Sequence, residues 1–441
     1  MWKQLIDQVE ASTLYKWYGQ VKKVTGLTIE SSGPRSFIGE LCYIWTGQDK
    51  KKKIRAEVVG FDHDRVLLMP LDRIDHIELG SLVETTKQSL TIPVGPALIG
   101  KLVDGVGTPF DSADGFTDSF DMFYPADSEP PPPMTRPRIS ETMSVGVKAI
   151  DSMLTMGKGQ RVGIFAGSGV GKSTLMSMIA KQSDADVNVI ALIGERGREV
   201  RDFIERDLGS EGLKKSVLIV VTSDQPPLQR VKGALTATAI AEYFRDQGMS
   251  VNLMMDSVTR FAMAHREIGL AIGEPPTSKG YPPSVFAKLP QLLERAGTSE
   301  KGTITAFYTV LVDGDDMNEP IADAVRGILD GHFILDRGLA NKGQFPAIHL
   351  LKSVSRLMSE LVSDEHARAA KEMRRWLADY EETEDLIQLG AYKQGASPAI
   401  DRAIEAMPQL LQFLSQRSGE SYDFSSTFAE MMHLVEGVKK E

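Results

Sequence analysis

One cysteine, Cys42, stands in a chain of 441 residues. A single thiol rules out an internal disulfide and any cysteine-built metal centre, and its expected place is a small buried apolar position. Long apolar runs are missing too: no stretch reaches the about 18 unbroken apolar residues that a membrane span needs. The opening segment, Met1-Trp2-Lys3-Gln4-Leu5-Ile6-Asp7-Gln8-Val9-Glu10, brings in acids too early for a secretory signal. A cytoplasmic location is the expectation. Positive charge is also short, with 50 Lys and Arg against 60 Asp and Glu and a net charge of −10. Proteins held to nucleic acid by phosphate neutralisation usually carry the reverse balance, so no nucleic-acid partner is expected. The one dense cationic run, Lys50-Lys51-Lys52-Lys53 with Arg55 behind it, reads as the solvated tip of a turn between two strands. Repeats of solenoid period and low-complexity tracts are absent.

What is present is the composition of a globular protein, 42% hydrophobic and 25% charged, in a chain too long for one core. Residues 1–18 read as a short helix with Leu5, Ile6, Val9 and Leu14 roughly on one side, either a loosely attached helix or a docking segment. Residues 19–90 change to short alternating runs broken by Gly, Asp and Pro, which predicts a small β-barrel or sandwich. The run Glu129-Pro130-Pro131-Pro132-Pro133 is a stiff extended connector inside the next unit, 91–343. In that unit strands alternate with helices: residues 187–193, 216–221 and 250–255 read as buried parallel strands and 234–247 as a helix. The pattern predicts an α/β sheet covered on both faces. Residues 344–441 read as mainly helical, as in 364–389 and 398–417.

The most informative stretch is Ala166-Gly167-Ser168-Gly169-Val170-Gly171-Lys172-Ser173-Thr174. An apolar run, Arg161-Val162-Gly163-Ile164-Phe165, leads in as a buried strand, and residues 174–181 lead out with helical spacing. A glycine-rich loop between strand and helix lets main-chain N–H groups converge on phosphate oxygens, aided by the positive end of the helix dipole. Lys172 can then reach the β- and γ-phosphates and the Ser173 hydroxyl can ligate Mg²⁺. The stretch therefore predicts binding of a nucleotide triphosphate, with Ala166 standing where the usual pattern opens on glycine.

Phosphoanhydride hydrolysis also needs an oriented water and positive charge against the γ-phosphoryl group. Asp256 closes the strand Val251-Asn252-Leu253-Met254-Met255, where a carboxylate serving Mg²⁺ belongs in such sheets. Glu195 follows the strand Ala191-Leu192-Ile193-Gly194 and emerges at the same edge, placed to accept a hydrogen bond from the attacking water; a surface pair with Arg196 or Arg198 is the competing assignment. Arg356, in Ser353-Val354-Ser355-Arg356, is either a transition-state cation supplied by a neighbouring subunit or a structural salt bridge.

Together these motifs resemble the catalytic subunits of the rotary ATP synthase superfamily. Gly194-Glu195-Arg196 is similar to that superfamily's Gly-Glu-Arg element. The match implies Glu195 as the water-activating carboxylate, near enough to the metal to share it with Ser173 and Asp256, and Arg196 beside the phosphates. Ser355-Arg356 resembles its arginine finger, and Phe345-Pro346-Ala347 resembles the segment whose ring stacks on adenine, although a buried core phenylalanine would fit the same letters. Within the superfamily, Met263-Ala264-His265-Arg266-Glu267-Ile268-Gly269-Leu270-Ala271-Ile272-Gly273-Glu274-Pro275-Pro276 and Gly280-Tyr281-Pro282-Pro283 most resemble the flagellar type III export ATPases. Leu292-Leu293-Glu294-Arg295-Ala296-Gly297 and Asp316-Met317-Asn318-Glu319-Pro320 agree with that group.

The resemblance implies a small N-terminal β-barrel, a RecA-like P-loop ATPase core and a C-terminal helical domain. It implies ATP and Mg²⁺ as ligands and a homohexamer with sites at subunit interfaces, peripheral at the cytoplasmic face of a membrane export apparatus. Its implied partners are a stator-like regulator docking on the N-terminal helix, a central stalk protein, the export gate and chaperone–substrate complexes. An injectisome secretion ATPase, a non-hydrolysing structural subunit, a proton-coupled synthase subunit and a hexameric RNA translocase are the alternatives.

Overall fold

The computed structural model describes residues 17–46, 52–74, 76–111, 120, 122–312, 314 and 316–440. The expected docking helix therefore lies outside the described residues, apart from Trp17 and Tyr18, and Tyr18 already opens a strand. Six antiparallel strands close into a barrel in the order β1-β2-β5-β4-β3-β6. They are β1 (Tyr18–Thr25), β2 (Thr28–Ser31), β3 (Glu40–Thr46), β4 (Lys52–Asp62), β5 (Arg65–Pro70) and β6 (Leu82–Ser89). Along β3 burial alternates residue by residue, so Cys42 and Ile44 point into the barrel with Val21, Ile29, Val58 and Leu68. Burial pushes the Cys42 thiol up to about 12, which leaves it unreactive at neutral pH. The cationic run is not simply a turn tip. Lys50 and Lys51 lie outside the described residues, but Lys52 and Lys53 pair with Thr46 and Trp45 in the ladder, and Lys53 Nζ sits 4.3 Å over the Trp45 ring.

The second unit is built on a mostly parallel sheet. Its strands are β7 (Leu102–Val103), β8 (Arg161–Ala166), β9 (Val187–Glu195), β10 (Ser216–Thr222), β11 (Ser250–Asp256), β12 (Thr303–Leu311), β13 (Gly331–Leu335) and β14 (Val354–Ser355). The order across the sheet is β14-β13-β8-β12-β11-β9-β10-β7, and only the β13–β14 pair in this path is antiparallel. Both faces are covered, which explains the unbroken apolar runs. On β11, Leu253 and Met255 pack with Val231 of helix α2 (Pro227–Asp246) and Phe261 of α3 (Val258–Ala271), while Met254 faces the other way. Met254 joins Ile179 of helix α1 (Lys172–Gln182) and, through one continuous core, Trp376, Leu410 and Leu434. Those last three belong to the C-terminal helices α4 (Asp364–Gln388), α5 (Pro398–Leu414) and α6 (Phe424–Lys440). The expected architecture, a barrel followed by an α/β core and a helical C-terminal part, is borne out. Among the described residues no helix is long and apolar enough to cross a membrane.

Candidate active site

The register brings the carboxyl ends of the strands to one edge. Ala166 lies beside Leu311 on one side and Leu335 on the other, and Leu192 lies beside Asp256. Ala166 is still inside its strand and almost wholly buried, so its backbone needs none of glycine's freedom. The loop that follows does need it: Gly169 and Gly171 hold φ of +77° and +91°, and Gly171 caps the helix Lys172–Gln182. A cavity of about 590 Å³ opens over this helix start. Gly167, Ser168, Gly169, Gly171, Ser173 and Thr174 line its floor. Val170 does not line it; its side chain is buried in the core, leaving only its main chain to a ligand.

Lys172, Glu195 and Asp256 meet in this cavity. The Lys172 ammonium donates to Asp256 Oδ1 and stands 3.8 Å from Glu195 Oε1. Thr309 reaches across from β12, the strand between the loop's strand and β11, and its hydroxyl donates to the same Asp256 oxygen at 2.7 Å. Asp256 is thus held from two sides at 6% side-chain exposure. Burial, then the adjacent Asp256 charge, pushes the Glu195 carboxyl up to about 7, against the pull of Lys172. Glu195 Oε1 is buried and has no hydrogen-bond partner among the described residues. Such an oxygen, facing a polar cavity, is suited to accept from water.

Arg196 also lines the cavity, but its side chain is 80% exposed and pairs with Glu199 at 3.3 Å. The cation closer to the buried carboxylates is Arg260, which sequence reading missed. It lines the cavity, its Nε is buried without a hydrogen-bond partner among the described residues, and a Cβ on Gly194 would lie 2.9 Å from its own Cβ. Its signal was available: Ser257 accepts from the Arg260 N–H and caps α3, so a residue one turn beyond Asp256 returns to the same edge. Thr309 and Glu199 were missed as well. Thr309 had no local signal, because only the strand order places β12 beside β11.

Two further expected residues lie outside the cavity lining. Phe345 is not a core phenylalanine. It is 45% exposed, and its ring lies 3.5 Å from where a Cβ on Gly171 would stand, against the outer side of the loop. Arg356 follows β14, where Ser355 pairs with Gly331. Gly331 is four residues before Leu335, the partner of Ala166, so Ser355 lies about 13 Å below the loop's edge at ~3.3 Å per residue. The Arg356 guanidinium donates to the Arg326 carbonyl at 3.2 Å and faces no phosphate position of its own chain.

The donors fit Mg²⁺ better than a protein-caged metal. Among the described residues no group of three or more His, Cys, Asp and Glu could hold an ion. The cavity instead offers the Ser173 hydroxyl and the Asp256 carboxylate, with Glu195 alongside. Mg²⁺ characteristically takes one or two such oxygens and completes its shell with water and phosphate.

A closed barrel, a parallel sheet with a phosphate-binding loop at its carboxyl edge and paired acids facing the loop lysine define the class: a P-loop ATPase of the rotary type. Family models match on three segments: the beta-barrel domain of the ATP synthase alpha/beta family over residues 21–87, its nucleotide-binding domain over 146–355, and the T3SS EscN ATPase C-terminal domain over 362–433. The chain belongs to the ATP synthase alpha/beta family, in the branch of flagellum-specific ATP synthases and type III secretion ATPases. It is 60% identical to the flagellum-specific ATP synthase of Bacillus subtilis, with 98% of each chain covered. It is 50% identical to the type 3 secretion system ATPase of Xanthomonas euvesicatoria, over 93% of this chain and 92% of that one. Among solved structures, the assembled ATPase EscN of enteropathogenic E. coli superposes with a TM-score of 0.88 at 44% identity, over 95% of this chain and 100% of that one. The same ATPase in complex with its central stalk EscO gives a TM-score of 0.87.

Proposed function

We propose that this chain hydrolyses ATP to energise or regulate protein export through a flagellar type III apparatus, as a homohexamer with sites at subunit interfaces. The higher identity to a flagellum-specific relative than to a secretion-system ATPase supports the flagellar assignment. In the working division, residues 19–90 form the barrel, 91–343 the ATPase core and 344–441 the helical unit. The central stalk seen with EscN supports a stalk partner here. A regulator docking on residues 1–18, the export gate and chaperone–substrate complexes complete the proposal, with the protein peripheral at the cytoplasmic face.

In the reaction, main-chain N–H groups of 167–174 and the Lys172 ammonium bind the β- and γ-phosphates. Ser173 and Asp256 would hold Mg²⁺, which would supply charge neutralisation at the phosphates. Glu195 accepts a hydrogen bond from the attacking water and orients it in line with the γ-phosphorus, while Arg196 and Arg260 supply positive charge at the cavity wall. Phe345 stacks on the base. Arg356 from the next protomer completes the charge around the transferring group. The observation that carries the reading is the buried Glu195 oxygen, which accepts no hydrogen bond among the described residues and stands 3.8 Å from the loop lysine.

The test is phosphate release as a function of protein concentration with mass measured in parallel. Activity per chain is expected to rise as oligomers form, and Lys172→Ala is expected to weaken nucleotide binding. Full turnover by monomers would refute the shared site.

A further inference from the structure

The loop's helix, Lys172–Gln182, meets residues of the C-terminal part at both ends. At its start, the Phe345 ring lies against Gly171. At its end, Gln182 Nε2 donates to the Glu420 carbonyl at 2.6 Å. Between these two contacts stands Gln416, just past α5 and only 4% exposed. Its main-chain N–H donates to the Phe345 carbonyl at 2.8 Å. Its Oε1 accepts from the Lys148 N–H at 2.9 Å, and its Nε2 donates to the Gly146 carbonyl at 2.8 Å and to the Glu420 carbonyl at 3.0 Å. The side chain's polar groups are used on two separate stretches of chain, 146–148 and Glu420, and the main-chain N–H reaches a third at Phe345.

The surroundings leave this knot little play. Gly146 holds φ of +71°, and a Cβ there would lie 2.5 Å from Gln182 Cβ. Lys148 is buried, paired with Glu430 at 2.9 Å and set 4.0 Å over the Tyr422 ring. Phe345 itself is held through its carbonyl while its ring stays half exposed. A ring that must present one face to a ligand loses less entropy on binding when its backbone is already fixed.

We infer that Gln416 is a positioning residue for the nucleotide base, acting through Phe345, and that it thereby sets base affinity without touching the base. The inference rests on Phe345 as the stacking residue. Base–aromatic stacking is worth enough to change affinity by about fivefold or more, and purines stack better than pyrimidines. Gln416→Leu is expected to raise KM for ATP about fivefold or more, raise KM for UTP less, and leave kcat within about twofold. Combined with Phe345→Leu it adds little further, because both changes remove one interaction. Gln416→Met keeps the length of the side chain, removes the same side-chain hydrogen bonds and brings no charge, so a similar rise is expected; it serves as the test should the leucine variant fail to fold.

The outcomes separate. If Phe345→Leu leaves KM for ATP unchanged, the base-contact reading fails. If Phe345→Leu raises KM while folded Gln416 variants do not, the positioning role alone fails. An equal loss for ATP and UTP in the Gln416 variants means a merely structural residue and overturns the inference.

Discussion

At the scale of single residues, the behaviour of Glu195 follows from its burial. A group that must accept a hydrogen bond from water has to be unprotonated, so turnover is expected to fall as pH drops below about 7, with the pH–rate profile as the check. Glu195→Gln is expected to cost turnover about a hundredfold or more while nucleotide binding, read by a fluorescent analogue, stays within a few-fold. The same residue predicts a stability effect of opposite sense. Its folded-state pKa is raised, so its charge costs nothing below the ordinary carboxylate range. The cost grows as pH rises toward about 7, and is constant above. The nucleotide-free Glu195→Gln protein is therefore expected to melt at a higher temperature than wild type at pH 8 and at a similar temperature at pH 4.5. A gain of equal size at both pH values would show that charge is not the cause.

Among the elements, the seam between barrel and core offers a separate test. Glu57 on β4 and Lys232 on α2 form an ion pair at 2.5 Å, with side chains only 10% and 8% exposed. Burial pushes the Glu57 carboxyl up and Lys232 pulls it down. Removing one member strands the other, so Lys232→Met is expected to cost about 3–5 kcal/mol, seen as a lower denaturant midpoint, and Glu57→Leu added to it is expected to recover most of that. Much of the element pattern was legible in the sequence because it is local. The strand into 167–171, the helix out of it and the alternation in the barrel depend on neighbours along the chain. Expected strands 187–193, 216–221 and 250–255 recur as β9, β10 and β11, each extended at its carboxyl end. What stayed hidden depends on pairing across sequence. Nothing near residue 309 says that β12 separates β8 from β11, so the threonine clamp on Asp256 could not be read. The place of Lys53 was equally hidden, since the rings of Tyr43 and Trp45 that receive it come from another strand.

For the whole molecule, the decisive feature is that one sheet carries its phosphate loop at one edge and Arg356 toward the opposite one. Arg356→Ala is expected to abolish turnover and leave binding by isolated chains unchanged, measured by titration at concentrations below assembly. On the proposed role of Arg356 in the neighbouring site, each copy owns half of two sites and the whole of none, like a tile with a socket on one side and a peg on the other. Such a tile joins only head to tail, so a ring built from it has a direction of travel. It also permits rescue between two dead proteins. Lys172→Ala chains keep a sound peg and Arg356→Ala chains keep a sound socket, so a co-assembled mixture regains activity that neither preparation has alone.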